Sequence, residues 1–172
     1  MAAEYHSIDL GHLALSPGAA RRLDIEVEPG DFSFGGESYA IVPASVPARL
    51  DVSRTVAGYA LRLRFEAVLA GPCMRCLEAA EVTVAVDARE VSQPASGDEE
   101  LESPYVEGEE LALGAWVRDA IALALPAQLL CREACRGLCP VCGGSLNDAR
   151  PGEHDHPRPV DPRLAKLGEL LA

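Results

Sequence analysis

In "YALRLRFEAVL", Leu61, Leu63, Phe65, Ala67 and Leu69 fall on one face while Arg62, Arg64 and Glu66 fall on the other, the period of a half-buried strand. "EVTVAVDAREV" repeats the alternation with Val82, Val84 and Val86 inward, so the two runs are expected to pair as a hairpin. Leu23, Ile25 and Val27 alternate with Asp24, Glu26 and Glu28 as a further strand, and shorter runs around Ile41 and Leu50 suggest others. The pattern predicts an antiparallel β domain over residues 1–92. Outward Arg62 and Arg64 have two readings: they could hold phosphates, or they could form exposed cross-strand charge pairs.

From residue 111 to 130 the period changes to 3.6. In "EELALGAWVRDAIALALP", Leu113, Trp116, Val117, Ala120, Ile121 and Ala124 form one apolar stripe, with acids near the N-terminal end and Pro126 closing the helix. This helix should pack on the sheet, with Trp116, the only tryptophan, as a core anchor rather than a base-stacking platform. In "DPRLAKLGELL", Asp161 reads as an N-cap, Pro162 as the first helical residue, and Leu164, Leu167 and Leu171 as one apolar side of a short second helix. The expected class is therefore α+β: an N-terminal antiparallel sheet packed by one long helix, then a C-terminal module over residues 131–172 ending in a short helix.

Composition adds two constraints. With 172 residues and 48% hydrophobic content, the chain supports one ordinary core with a small appended module. Its net charge of −12 argues against a polyanionic partner, but seven of the acids crowd between Asp98 and Glu110, leaving 20 acids against 15 bases elsewhere. With Pro94, Ser96, Gly97, Ser103, Pro104 and Gly108 interleaved, residues 93–110 read as a solvated acidic linker, or as an arm that contacts a basic protein or mimics nucleic acid. The N-terminus shows neither an apolar h-region nor any long apolar run, so a cytoplasmic protein is expected, with no membrane association.

That compartment bears on the six cysteines, because structural disulfides are rare where thiols are kept reduced. The soft ligands come in pairs: Cys73 and Cys76 in "CMRC", Cys131 and Cys135 in "CREAC", Cys139 and Cys142 in "CPVC", His154 and His156 in "HDH". Eight donors suffice for two tetrahedral Zn2+ ions. A CxxC pair also suits thioredoxin-type redox chemistry, but no βαβ pattern surrounds either copy. In "CPVCGG" the spacing puts both thiolates on one ion, and Gly143 and Gly144 permit the tight turn that aims amide N–H groups at sulfur.

Only three residues separate Cys135 from Cys139, so placing all four clustered cysteines on one ion would strain the chain. The expected arrangement is a first site of Cys73, Cys76, Cys131 and Cys135, stapling the hairpin loop to the segment after the helix. A second site of Cys139, Cys142, His154 and His156 would close a zinc-ribbon-like module. Four protein ligands leave no place for water, so both ions read as structural. The chain also lacks GxSxG, HExxH and a phosphate-binding glycine loop, and it is read as a non-enzyme without a small-molecule substrate. Arg75, Arg132 and Arg136 lie in or beside the cysteine pairs, where they could contact phosphates or partners, or pair internally with Glu78 and Glu133.

"CMRCLE", "ALP" followed by "CREACRGLCPVCGGSLN", and the ending "DPRLAKLGELL" resemble the YceD family, the large ribosomal RNA subunit accumulation proteins of bacteria and plastids. The resemblance covers roughly residues 60–172. Many family members carry Cys-x-Cys where this chain has His154 and His156, which the resemblance implies is a swap of one zinc-ligand type for another. Others lack the "CPVCGG" knuckle yet keep the first Cys pair together with a Cys or His pair at the positions of Cys131 and Cys135. The resemblance implies a non-catalytic role in 23S rRNA accumulation and large-subunit assembly, with the subunit precursor, through 23S rRNA or ribosomal proteins, as partner. Alternatives from the residues alone are a zinc-ribbon adaptor in transcription or redox sensing, and a zinc-dependent enzyme.

Overall fold

The computed structural model describes residues 6–94 and 97–156. The helix expected over residues 161–171 lies outside them. The chain is α+β. Its main sheet has six antiparallel strands: β2 (Ala20–Val27), β3 (Phe32–Phe34), β4 (Glu37–Ile41), β5 (Val46–Arg54), β6 (Tyr59–Pro72) and β7 (Ala79–Ser92). A small second sheet joins β1 (Ile8–Asp9), β9 (Glu110–Leu111) and β8 (Val106–Glu107) in that order. Among the described residues one α-helix, α1 (Leu113–Ala124), follows.

Strand β6 organises the main sheet. One of its edges is paired along its full length by β7, from Tyr59 opposite Ser92 to Pro72 opposite Ala79. The other is shared, with β5 opposite its first half and β4 opposite Leu69 and Ala70. Register puts Leu23 opposite Leu50, Leu50 opposite Leu63, and Leu63 opposite Ala88, so the apolar positions of four strands form one continuous face. A one-residue slip in any strand would turn that whole set to solvent, which is why alternation specifies register so strongly.

Helix α1 buries Leu113, Trp116, Val117, Ala120 and Ile121. It is shorter than the stretch 111–130 read as helical. Leu111 belongs to β9, and Leu125 is extended, as the residue before a proline prefers to be, so the last turn stops at Ala124, whose side chain is exposed. Trp116 is fully buried and stacks on Tyr105 at 6.3 Å, and truncating it to alanine would cost about 3–5 kcal/mol. Arg118 ties the helix to the loop after β2 by donating to the carbonyls of Pro29 and Asp31, with its guanidinium over Phe32.

The acidic stretch is not the solvated linker that its composition suggested. Residues 99–101 form a 3-10 turn, and β8 and β9 make a hairpin that pairs with β1. The physical reason is the apolar residues among the acids. Leu111 and Ser103 are buried, Tyr105 and Val106 pack against the core, and Tyr105 donates its hydroxyl hydrogen to Asp119 at 2.9 Å. Glu109 is also used: its carboxylate accepts from Tyr59, whose ring carries the Arg54 guanidinium.

On the face opposite the core, Arg62 forms a two-point pair with Asp87, at 2.7 and 2.6 Å. Asp51 accepts from Arg22 at 2.7 Å and also from Arg64. Outward Arg62 and Arg64 thus serve cross-strand charge pairs. The hydrogen bond from Arg22, then that from Arg64, holds the Asp51 carboxyl below its ordinary range, although partial burial opposes this. Its stabilising effect is accordingly present above the ordinary carboxylate pKa and lost as the pH falls through the lowered one. Asp24 accepts only from exposed Arg49, at 3.3 Å. In urea unfolding at neutral pH, Asp51→Asn should therefore destabilise by about 1 kcal/mol and Asp24→Asn by clearly less.

Candidate metal centre

The loop between β6 and β7 carries the first cysteine pair. Cys73 donates its backbone N–H to Glu78 O at 2.7 Å, and Leu77 donates to Cys73 O at 2.9 Å, which closes a tight knuckle over residues 73–78. Across from it runs the segment that leaves α1. Met74 N–H bonds Leu129 O at 2.9 Å, and Leu129 N–H returns a bond to the Met74 sulfur at 3.4 Å, a pairing that lays Cys131 and Cys135 against the knuckle. Cys76 Sγ lies 3.5 Å from Cys131 Sγ, and Cys73 Sγ lies 3.7 Å from Cys135 Sγ. All four sulfurs fall within 4.8 Å of one another, and Cys73, Cys76 and Cys135 are buried. These separations are far longer than the ~2.05 Å of a disulfide, and all six cysteines of the chain are free.

The second knuckle copies the first. Cys139 N–H bonds Gly144 O at 2.8 Å, and Gly143 N–H bonds Cys139 O at 2.8 Å, the same two hydrogen bonds at the same spacing. The residue after the second cysteine is left-handed in both, with φ +62° at Leu77 and +70° at Gly143. Glycine adopts that conformation freely, whereas a leucine there stores about 1–2 kcal/mol of strain. Leu77 is also exposed.

Opposite the second knuckle, Cys142 Sγ lies 3.2 Å from His154 Nδ1, and the donor atoms of Cys139, Cys142, His154 and His156 again lie within 4.8 Å of one another. Gly144 permits this approach, because a Cβ there would sit 2.7 Å from the His154 ring. His156 Nε2 is buried with no hydrogen-bond partner among the described residues. A buried polar atom left unpaired is costly, and a cation would relieve it. Each cluster is thus a four-donor set that could bind a metal ion.

The thiols respond to this crowding. At Cys73, burial raises the pKa, but N–H groups of Arg75, Cys131 and Cys76 aimed at the sulfur outweigh it and bring the pKa to about 6. Burial raises Cys76 to about 12 and also raises Cys131, the neighbouring sulfurs adding to the effect at Cys76. Backbone N–H groups of Cys142 and Val141 lower Cys139. One thiolate per knuckle is therefore favoured by backbone dipoles alone, while several in one cluster require a compensating positive charge.

Of the three arginines singled out beside the cysteines, none pairs with Glu78 or Glu133. Arg75 donates to Gln128 Oε1 at 2.9 and 3.2 Å and to Cys135 O at 3.0 Å, bracing the first cluster. Arg132 lies 3.6 Å from Asp148, and Arg136 reaches Asn147 O at 3.5 Å. Asn147 is the residue that sequence reasoning passed over. Its Oδ1 accepts from Arg136 N–H at 2.8 Å and its Nδ2 donates to Cys135 Sγ at 3.6 Å, tying the second module to a cysteine of the first cluster. Only its place directly after the "CPVCGGSL" turn hints at the role.

A double-mutant cycle checks the grouping. Cys73→Ser and Cys131→Ser, from one cluster, should be coupled by about 3 kcal/mol in chemical unfolding, whereas Cys73→Ser and Cys142→Ser, one from each, should be close to additive.

The chain is similar to relatives from mycobacteria. It is 34% identical over 171 residues to the uncharacterized protein Rv2926c of Mycobacterium tuberculosis, an alignment covering 96% of this chain and 81% of the relative. It is 37% identical over 106 residues to the uncharacterized protein ML1660 of Mycobacterium leprae, covering 58% and 47% respectively. No solved structure matches. A family model matches residues 61–171, from β6 through both clusters, and by that match the chain belongs to the YceD family of large ribosomal RNA subunit accumulation proteins.

Proposed function

We propose that this protein is a non-catalytic factor supporting 23S rRNA accumulation and assembly of the large ribosomal subunit, and that each four-donor cluster holds one structural Zn2+. The observation that carries the ribosomal reading is the family match, which spans the hairpin, the helix and both clusters. Donor chemistry supports zinc: four sulfurs in one cluster, two sulfurs and two imidazoles in the other, are the ligand sets zinc takes in tetrahedral structural sites. On this reading Cys73, Cys76, Cys131 and Cys135 ligate one ion, and Cys139, Cys142, His154 and His156 the other. A complete set leaves no coordination position for water or substrate, and the binding energy goes into holding the loop, the post-helix segment and the terminal ribbon together.

Contact with the assembling subunit then runs through protein more than through bare RNA. A net charge of −12 opposes phosphates, and Arg75, Arg132 and Arg136 spend their guanidinium groups on internal acceptors. No helix among the described residues is long and apolar enough to cross a membrane, and assembly of a bacterial ribosome places the work in the cytoplasm.

Two outcomes are expected. Cells lacking the protein should hold less 23S rRNA and fewer mature large subunits relative to small ones, read from sedimentation profiles; an unchanged profile at several growth temperatures would count against the ribosomal role, and failure of the tagged protein to co-sediment with precursors would favour an adaptor role elsewhere. Elemental analysis after chelator-free purification should give two zinc ions per chain, the one at Cys142 leaving first under a mild chelator because that cysteine is exposed. Absence of metal with all six thiols titratable in the native state would remove the zinc reading.

A further inference from the structure

The two knuckles provide an internal comparison. They share backbone hydrogen bonds and backbone handedness, yet at the position after the second cysteine one carries Gly143 and the other Leu77. Local folding does not account for the leucine, since glycine suits the left-handed conformation better. Core packing does not either: Leu77 is 61% exposed and supplies no ligand. An exposed, bulky, left-handed residue standing where its twin has glycine points to a use outside the fold.

Its surroundings indicate which use. Leu77 borders a shallow depression of about 430 Å³ together with Gly71, Pro72, Ala79 and Ala80, and on the same loop Met74 is 45% exposed. Two acids, Glu78 and Glu81, stand exposed beside this apolar surface, Glu78 with one carboxylate oxygen also 3.7 Å from Cys76 Sγ. The one base of the knuckle, Arg75, is turned away toward Gln128 and the Cys135 carbonyl. The patch is therefore an apolar centre with an acidic rim, mounted on the end of a long hairpin and braced from behind by the segment that carries Cys131 and Cys135. A braced, preformed surface spends little entropy on binding.

We infer that the knuckle around Leu77 is a docking point for a lysine- and arginine-rich protein segment that inserts an apolar side chain against Leu77 while its cations meet Glu78 and Glu81. Identification of that segment with a protein of the large-subunit precursor rests on the function proposed above; the docking chemistry does not.

The test uses the full-length, metal-loaded chain and three probes: a synthetic peptide with one phenylalanine among six lysines, the same peptide with alanine in its place, and a hexauridylate RNA. Methyl resonances of Leu77, Ala79 and Ala80 should shift with the phenylalanine peptide. Leu77→Gly should weaken that binding about tenfold. Glu78→Gln with Glu81→Gln should weaken it and reduce its salt dependence. Leu77→Gly relieves the left-handed strain, so it should keep its metal and melt no lower than the parent. Binding of the peptide elsewhere, equal binding by Leu77→Gly, indifference to the phenylalanine, or tighter binding of the RNA at these methyls would each overturn the proposal. A separate sedimentation experiment asks whether the parent joins large-subunit precursors; its failure would remove the ribosomal reading and leave the peptide result standing.

Discussion

The pairing of β6 with β7 is the constraint on which the rest of the molecule depends. Fourteen residues of each strand run side by side in one unbroken register. That register turns Leu61, Leu63, Phe65, Ala67 and Leu69 to the core and offers β6 a second edge to β5 and β4. It also sets where the chain reverses, which fixes the position and direction of Cys73 and Cys76. Helix α1 then lies against β7, and the segment after Pro126 returns along the knuckle through the Met74 and Leu129 bonds. The first cluster is thus the meeting of two paths that both begin at this hairpin.

Charge is distributed to suit this layering. The solvent face of the main sheet is laced by Arg62 with Asp87, Arg22 and Arg64 with Asp51, and Arg49 with Asp24, so it is close to neutral in a strongly acidic chain. Such pairs contribute little individually to stability, but Arg49 stands directly opposite Arg64 and Arg62 directly opposite Arg89, and the diagonal bonds of Arg64 to Asp51 and of Arg62 to Asp87 offset those like-charge neighbours. The excess acid sits on the folded segment before α1, where Glu100, Glu102, Glu107 and Glu110 are exposed while Leu111 and Tyr105 hold the backbone down.

Much of this was legible before any coordinates. Period-two alternation located the strands and their inward residues, because burying one face leaves a periodic trace. The stripe from Leu113 to Ile121 located the helix for the same reason, and the paired spacing of the cysteines marked both knuckles. Legibility failed where a few residues oppose the local average. Leu101, Tyr105, Val106 and Leu111 order a stretch whose composition is acidic and rich in turn residues, and no periodicity announces strands of two residues each. It failed as well for contacts joining distant positions through single atoms: Gln128 under Arg75, Asn147 on the Cys135 sulfur, and the left-handed backbone of Leu77 are settled only once the chain has closed.

The link through Asn147 has a direction. The first cluster draws its four sulfurs from the hairpin loop and from the segment just after the helix, and none of them comes from beyond Cys135. The second draws its donors from residues 139–156, and this part of the chain meets the rest of the protein by Asn147 on the Cys135 sulfur, by Asp148 beside Arg132 and by Gly137 against the backbone of Arg75. The terminal ribbon is therefore an appendage hung from the inner cluster. A lineage could shed or rebuild it, exchanging histidines for cysteines, without disturbing the sheet, whereas altering the inner four would pull apart the frame that carries the appendage.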